Sequence, residues 1–133
     1  LLGEDYHVTY ADPSKVLFVG ESAGGVCCTI EMTPYQTSID WQESALVCFE
    51  HGWVKLELPA PLASHRPGTL SIFKDTDGRA QTVTPQLPWV HAMRQQAINF
   101  VAAVKGERPP MCEAAEALKD LNIARNYIRM LQA

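Results

Sequence analysis

The chain lacks most of what would announce a chemistry. No apolar run approaches the ~20 residues that a membrane-spanning helix needs, so no membrane partner is expected. No charged segment, apolar segment and cleavage site open it in the manner of a secretory leader, and a cytoplasmic protein is expected. Basic runs are missing and the formal net charge is -4, which argues against nucleic acid as a partner. No G-x-G-x-x-G follows a strand, and neither G-x-S-x-G nor H-E-x-x-H occurs. The four cysteines, Cys27, Cys28, Cys48 and Cys112, form no C-x-x-C pair and have no histidine at zinc-ligand spacing. They read as reduced, small core residues, and no metal site is expected. His7, His51, His65 and His91 are widely spaced and read as turn or surface residues.

What is present is a globular pattern. The 133 residues, 47% of them hydrophobic, suffice for one domain over 1–133 with a core. Short strand-like runs fill the first two thirds. Tyr6 to Tyr10 alternates, with Val8 and Tyr10 toward one side, and Val16 to Val19 is a short apolar run. Val26 to Thr33 has period two, with Val26, Cys28, Ile30 and Met32 on one face. Ser44 to Phe49 is apolar on both faces and reads as a central strand. It pairs through Glu50-His51-Gly52 with Trp53 to Leu58. Thr69 to Phe73 and Ala80 to Val83 flank Asp75-Thr76-Asp77-Gly78, a second hairpin signal.

Two amphipathic helices follow. In the first, Val90, Met93, Ala97, Phe100, Val101 and Val104 share a side, with Arg94, Gln95 and Asn99 opposite. Gly106 suits its stop, and Pro109-Pro110 separates it from the second. The second carries a stripe of Ala114, Ala117, Leu118, Leu121, Ala124, Ile128 and Leu131. The expected fold is α+β: a mostly antiparallel open sheet with the two C-terminal helices packed on one face. The opposite face, with Trp53, Cys27 and Thr29, is then a docking surface, and a homodimer through it is expected.

Candidate binding residues come from two places. Tyr35, Asp40, Trp41 and Glu43 mix aromatic rings with carboxylates. Such mixtures line sugar sites, because rings stack on C–H faces while carboxylates accept hydroxyl protons; they also occur on plain exposed strands. Trp89 and His91 stand at the approach to the first helix, where Trp89 is either an anchor that seats the helix or a ligand contact. No complete active site can be assembled from these residues.

Three pieces, taken in order, resemble the C-terminal domain of the Gfo/Idh/MocA family of NAD(P)-dependent oxidoreductases. Gln96 to Pro110 resembles the family's helix with its glycine-then-proline turn. Glu113 to Ala124 is similar to its last helix. Leu1-Leu2-Gly3-Glu4 resembles the end of the helix that carries the family's D-x-x-x-H motif. Glu43 to Pro61 is similar to a strand pair with a proline exit in one branch. The resemblance implies a substrate-binding and dimerisation domain cut from a longer protein whose Rossmann domain binds NAD or NADP. It implies hydride transfer to or from a sugar, cyclitol or related polyol. The family's catalytic lysine and histidine have no counterpart in this chain, so no catalytic residue and no cofactor-binding residue is expected here. Tyr35, Trp41, Trp89 and His91 are then the substrate-binding candidates. The alternatives are a free-standing α+β binding or assembly module and, more remotely, a small enzyme built on the Tyr35–Glu43 cluster.

Overall fold

The computed structural model describes residues 3–32 and 41–132. It is an α+β protein with seven antiparallel strands and two helices among these residues. The strands are β1 (Tyr6–Ala11), β2 (Leu17–Ser22), β3 (Cys27–Glu31), β4 (Glu43–Phe49), β5 (Gly52–Leu58), β6 (Thr69–Thr76) and β7 (Arg79–Val83); the helices are α1 (Ala92–Val104) and α2 (Ala114–Gln132). The expected class and antiparallel pairing hold, but the strands divide into two sheets, ordered β1-β2-β3 and β4-β5-β6-β7. The chain forms two compact units. One comprises Leu1–Gln36 with Met111–Ala133, the other Thr37–Pro110, so the two helices belong to different units. Trp53 is consequently on one sheet while Cys27 and Thr29 are on the other, and the three do not share a face.

In the first unit α2 packs on β1, and the core lies on one face of β2. Phe18, Gly20 and Ser22 alternate along that strand and are its buried residues. The Tyr127 ring of α2 lies 5.0 Å from that of Phe18, tilted by 38°. Gly20 is small for a reason: a Cβ there would collide with the Tyr6 ring and the His7 carbonyl. The Ser22 hydroxyl accepts from the Val26 N–H at 3.1 Å and so closes the β2–β3 turn, where Gly25 takes φ +83°.

Two sequence expectations are corrected here. The alternation that put Val8 and Tyr10 on one side is broken by a bulge between them, so Tyr10 is exposed while Val8 and Ala11 are half-buried. On α2, Leu118, Leu121 and Ile128 of the expected stripe are exposed, whereas its Ala117 and Leu131 are half-buried. The side turned to the sheet runs instead through Lys119, Ile123 and Tyr127, at intervals of four. The Lys119–Asp5 contact (2.6 Å) and the Tyr127 ring fix that rotation.

The second unit is a four-strand meander. Asp77 (φ 53°) and Gly78 (φ 74°) turn β6 into β7, as a two-residue hairpin of type I′ requires. β4, expected to be central, is an edge strand, because two successive hairpins place it at the start of the meander. Register puts Ala45, Val47, Val54, Leu56, Leu70, Ile72 and Val83 on one face. The other face carries Leu46, Cys48 and the stacked rings of Trp53 and Phe73, 5.8 Å apart. None of the described residues of this unit is fully buried.

α1 starts at Ala92, with His91 as N-cap, and ends in a Schellman turn. The Glu107 N–H bonds the Ala102 carbonyl, the Gly106 N–H bonds that of Ala103, and Gly106 takes φ 74°. Its apolar side is open among the described residues: Phe100 and Val104 are more than two-thirds exposed, whereas Gln95 and Asn99 are half-buried. A polar ladder explains the inversion. The Gln95 amide and the Arg108 guanidinium both donate to Asn99 Oδ1, at 3.0 and 2.6 Å. Neither helix is long and apolar enough to cross a membrane.

Candidate functional site

The best-lined hollow of the second unit lies where β4 begins and β5 ends. β4 and β5 run antiparallel, so Glu43 stands opposite Leu58, and Glu57 stands opposite Thr69 of β6. These pairings bring three separate stretches of sequence to one end of the sheet. The loop between β5 and β6 returns closely over that end because Gly68 is small: a Cβ there would sit 3.1 Å from the Glu57 carbonyl oxygen. The cleft so formed has a volume of about 270 Å³ and is lined by Trp41, Glu43, Glu57, Arg66 and Thr69, with Gln42, Leu58 and two prolines completing the wall.

Its polar groups are partly committed. The Trp41 indole N–H donates to Glu43 Oε2 at 3.1 Å, which orients the ring beside the carboxylate. Glu57 holds Lys55 at 2.7 Å, in a pair that is about half exposed. Arg66 makes no ion pair among the described residues and lines the cleft. Register sets Glu43 on the face of Ala45 and Leu56 and sets Glu57 and Thr69 on the other, so the two carboxylates border the cleft from opposite faces of the sheet end. Glu43 and Glu57 against Lys55 and Arg66 leave its local charge balanced.

The four sequence candidates fare differently. Trp41 is in the cleft and about half exposed. Tyr35 lies outside the described residues, as does Asp40 of the same cluster. Trp89 is 70% exposed, so it does not act as a buried anchor for α1. His91 serves the helix instead: its Nδ1 accepts from the Arg94 N–H at 3.5 Å, a long cap. Neither Trp89 nor His91 lines the cleft of Trp41. Sequence reading missed Glu57, Arg66 and Thr69. The hairpin it drew from Ser44 to Leu58 carried the signal for Glu57, since pairing sets that residue beside the start of β4. Arg66 arrives through a loop, whose path no periodicity encodes.

A second hollow, of about 410 Å³, lies at the β6–β7 hairpin tip among Thr76, Asp77, Arg79 and Gln81. It has no aromatic wall and is formed by the turn itself. No group of three or more His, Cys, Asp or Glu side chains could hold a metal ion among the described residues. Both sheets are antiparallel, and the residues leading into α1 and α2, Pro-Trp-Val-His and Pro-Met-Cys-Glu, contain no glycine to let a pyrophosphate approach a helix N-terminus. No protein-family model, no curated protein and no solved structure matches this chain.

Proposed function

We propose that this chain is the substrate-binding and dimerisation part of a cytoplasmic NAD(P)-dependent oxidoreductase that moves a hydride to or from a sugar, cyclitol or related polyol. The order of segments carries the reading: a strand pair with a proline exit at Glu43–Pro61, a helix closed by Gly106, a proline pair, and an acidic-alanine helix opening. The α+β architecture with antiparallel sheets is compatible with it. So is the cleft at Trp41, where ring and carboxylates suit a polyol.

Nicotinamide chemistry is assigned to a Rossmann domain elsewhere in the parent protein, as the resemblance to the oxidoreductase family implies. The role of this chain's residues is to bind and orient the polyol. The dimer is assigned to the open sheet face, which on the four-stranded sheet is the side of Leu46, Cys48 and the stacked Trp53 and Phe73.

The testing experiment is the intact mass of the protein as its own cells make it, followed by a polyol screen with NAD and NADP. A mass more than twice 14.7 kDa, with G-x-G-x-x-G in the added sequence and polyol-dependent reduction of either cofactor, is the expected result. A mass equal to this chain's removes the oxidoreductase. The sheet face would then belong to a free-standing binding or assembly module.

A further inference from the structure

We infer that Asp77-Gly78, the tip of the β6–β7 hairpin, is a site of spontaneous conversion of aspartate to isoaspartate, which the native turn leaves unprotected. It rests on neither functional reading above.

The chemistry is intramolecular. The Gly78 amide nitrogen attacks the carboxyl carbon of the Asp77 side chain. The carboxyl OH and the amide proton leave as one water, and a succinimide ring closes. Water then opens the ring at either carbonyl. Opening at the side-chain carbonyl restores aspartate; opening at the main-chain carbonyl leaves the chain running through the side chain, as isoaspartate. A side chain on the residue after the aspartate shields the attacking nitrogen. Among the aspartates and asparagines of the sequence, Asp77 alone is followed by glycine.

The fold keeps both reacting groups free. Thr76 pairs with Arg79 as the last rung of the ladder, so Asp77 and Gly78 are the loop residues. No backbone hydrogen bond takes up the Gly78 N–H among the described residues. The exposed Asp77 carboxylate makes neither a hydrogen bond nor an ion pair there. A Cβ at Gly78 would meet nothing within 4 Å, so nothing packs over the bond. Ring closure needs rotation about the Cα–C bond of Asp77, and the open tip puts no neighbour in its way. The starting conformation is itself shallow for an aspartate, at φ 53° in the left-handed region.

The product changes the hairpin. Isoaspartate adds a methylene to the main chain, and the turn no longer matches the two-residue type I′ geometry. The Thr76–Arg79 rung is the first to go. β7 is an edge strand with all five residues exposed, so little else holds it to β6.

The test is ageing of this chain in warm neutral buffer, beside a sample held unfolded in urea. Isoaspartate is counted by methyl incorporation with protein isoaspartyl methyltransferase and a labelled methyl donor, then located by peptide mapping. Expected is methylation confined to the peptide of Asp77, at a rate within about tenfold of the unfolded sample, because an unpacked tip opens at little cost. Asp77→Glu should abolish the signal, and Asp75→Glu should leave it unchanged. Amide exchange in the aged chain should quicken across β6–β7 and stay unchanged across β4–β5. Methylation seen only in urea would mean that the turn protects the bond and would overturn the inference. So would methylation centred on another aspartate, or persisting in Asp77→Glu.

Discussion

Tyr127 lies over Phe18, 109 positions earlier in the sequence (127 minus 18), with ring centroids 5.0 Å apart, and its hydroxyl is buried without a hydrogen-bond partner among the described residues. The ring stabilises the first unit and the oxygen detracts from it, since an unpaired buried hydroxyl forfeits its hydration. Tyr127→Phe is therefore expected to be at least as stable as the parent, while Tyr127→Ala loses about 2 kcal/mol. Urea unfolding of the two variants checks this. A Tyr127→Phe variant less stable than the parent would show that the hydroxyl is satisfied.

Gly20 and Tyr6 make a second such pair. A methyl at Gly20 must displace the Tyr6 ring, so Gly20→Ala is expected to cost about 1–3 kcal/mol. Only the part owed to the ring should vanish in a Tyr6→Ala background, because the His7 carbonyl still crowds the methyl. Additive losses in the double variant would locate the strain in the backbone instead. Burial, and then the neighbouring Cys28 and Cys27, hold the Tyr6 phenol above its ordinary value, so its ultraviolet titration should lag that of a free tyrosine.

The Asp5–Lys119 contact gives the first unit an acid dependence. The hydrogen bond from Lys119, and then its charge, hold the Asp5 carboxyl below its ordinary value of 3.8, and the same bond and the Asp5 charge hold the Lys119 ammonium above its own. A depressed carboxyl contributes stability that is fully present above pH 3.8 and is lost as pH falls through the lower, folded value. Both groups are at the surface, so the effect is small and screened by salt. Asp5→Asn should abolish this share of the acid sensitivity, read as the change in melting temperature between pH 6 and pH 3 at low and at high salt.

Trp89 separates structure from binding. Being 70% exposed, it can be truncated to alanine with a stability change within about 0.5 kcal/mol. Any loss in a catalytically complete parent should then appear in KM with the melting curve unchanged. A large drop in melting temperature would restore Trp89 as an anchor for α1.

His91 is a serviceable but long cap. His91→Asp offers the α1 N-terminus a shorter acceptor and a favourable charge, and is expected to raise stability by about 0.5–1 kcal/mol. Thermal unfolding would show it; an unchanged or lower midpoint would mean that the imidazole makes contacts the aspartate cannot replace.

Strand positions were readable in the sequence because alternation and turn chemistry are local: Asp77-Gly78 and Gly106 each take the positive φ that their place in the pattern demanded. Facing was less readable. Tyr10 was misplaced by a bulge that inserts one residue, and Leu118 by a helix whose rotation is set by Lys119 and Tyr127 meeting residues far away in sequence. A helix with apolar residues on more than one side leaves periodicity without a unique answer. The same limit governs the site. Trp41 and Glu43 were visible as neighbours in sequence, whereas Glu57 and Arg66 reach them only through strand register and a loop closed by a glycine.

The way the chain alternates between its two units bears on its synthesis. Thr37–Pro110 is one uninterrupted stretch whose hairpins pair near neighbours, so it can fold as soon as it leaves the ribosome. The first unit must wait, because β1 to β3 are made before that stretch and α2, which packs on β1, is made after it. During that interval Phe18 stands without the Tyr127 ring. Premature termination within α2 would accordingly leave one unit intact and release an unprotected sheet, a target for proteolysis or aggregation.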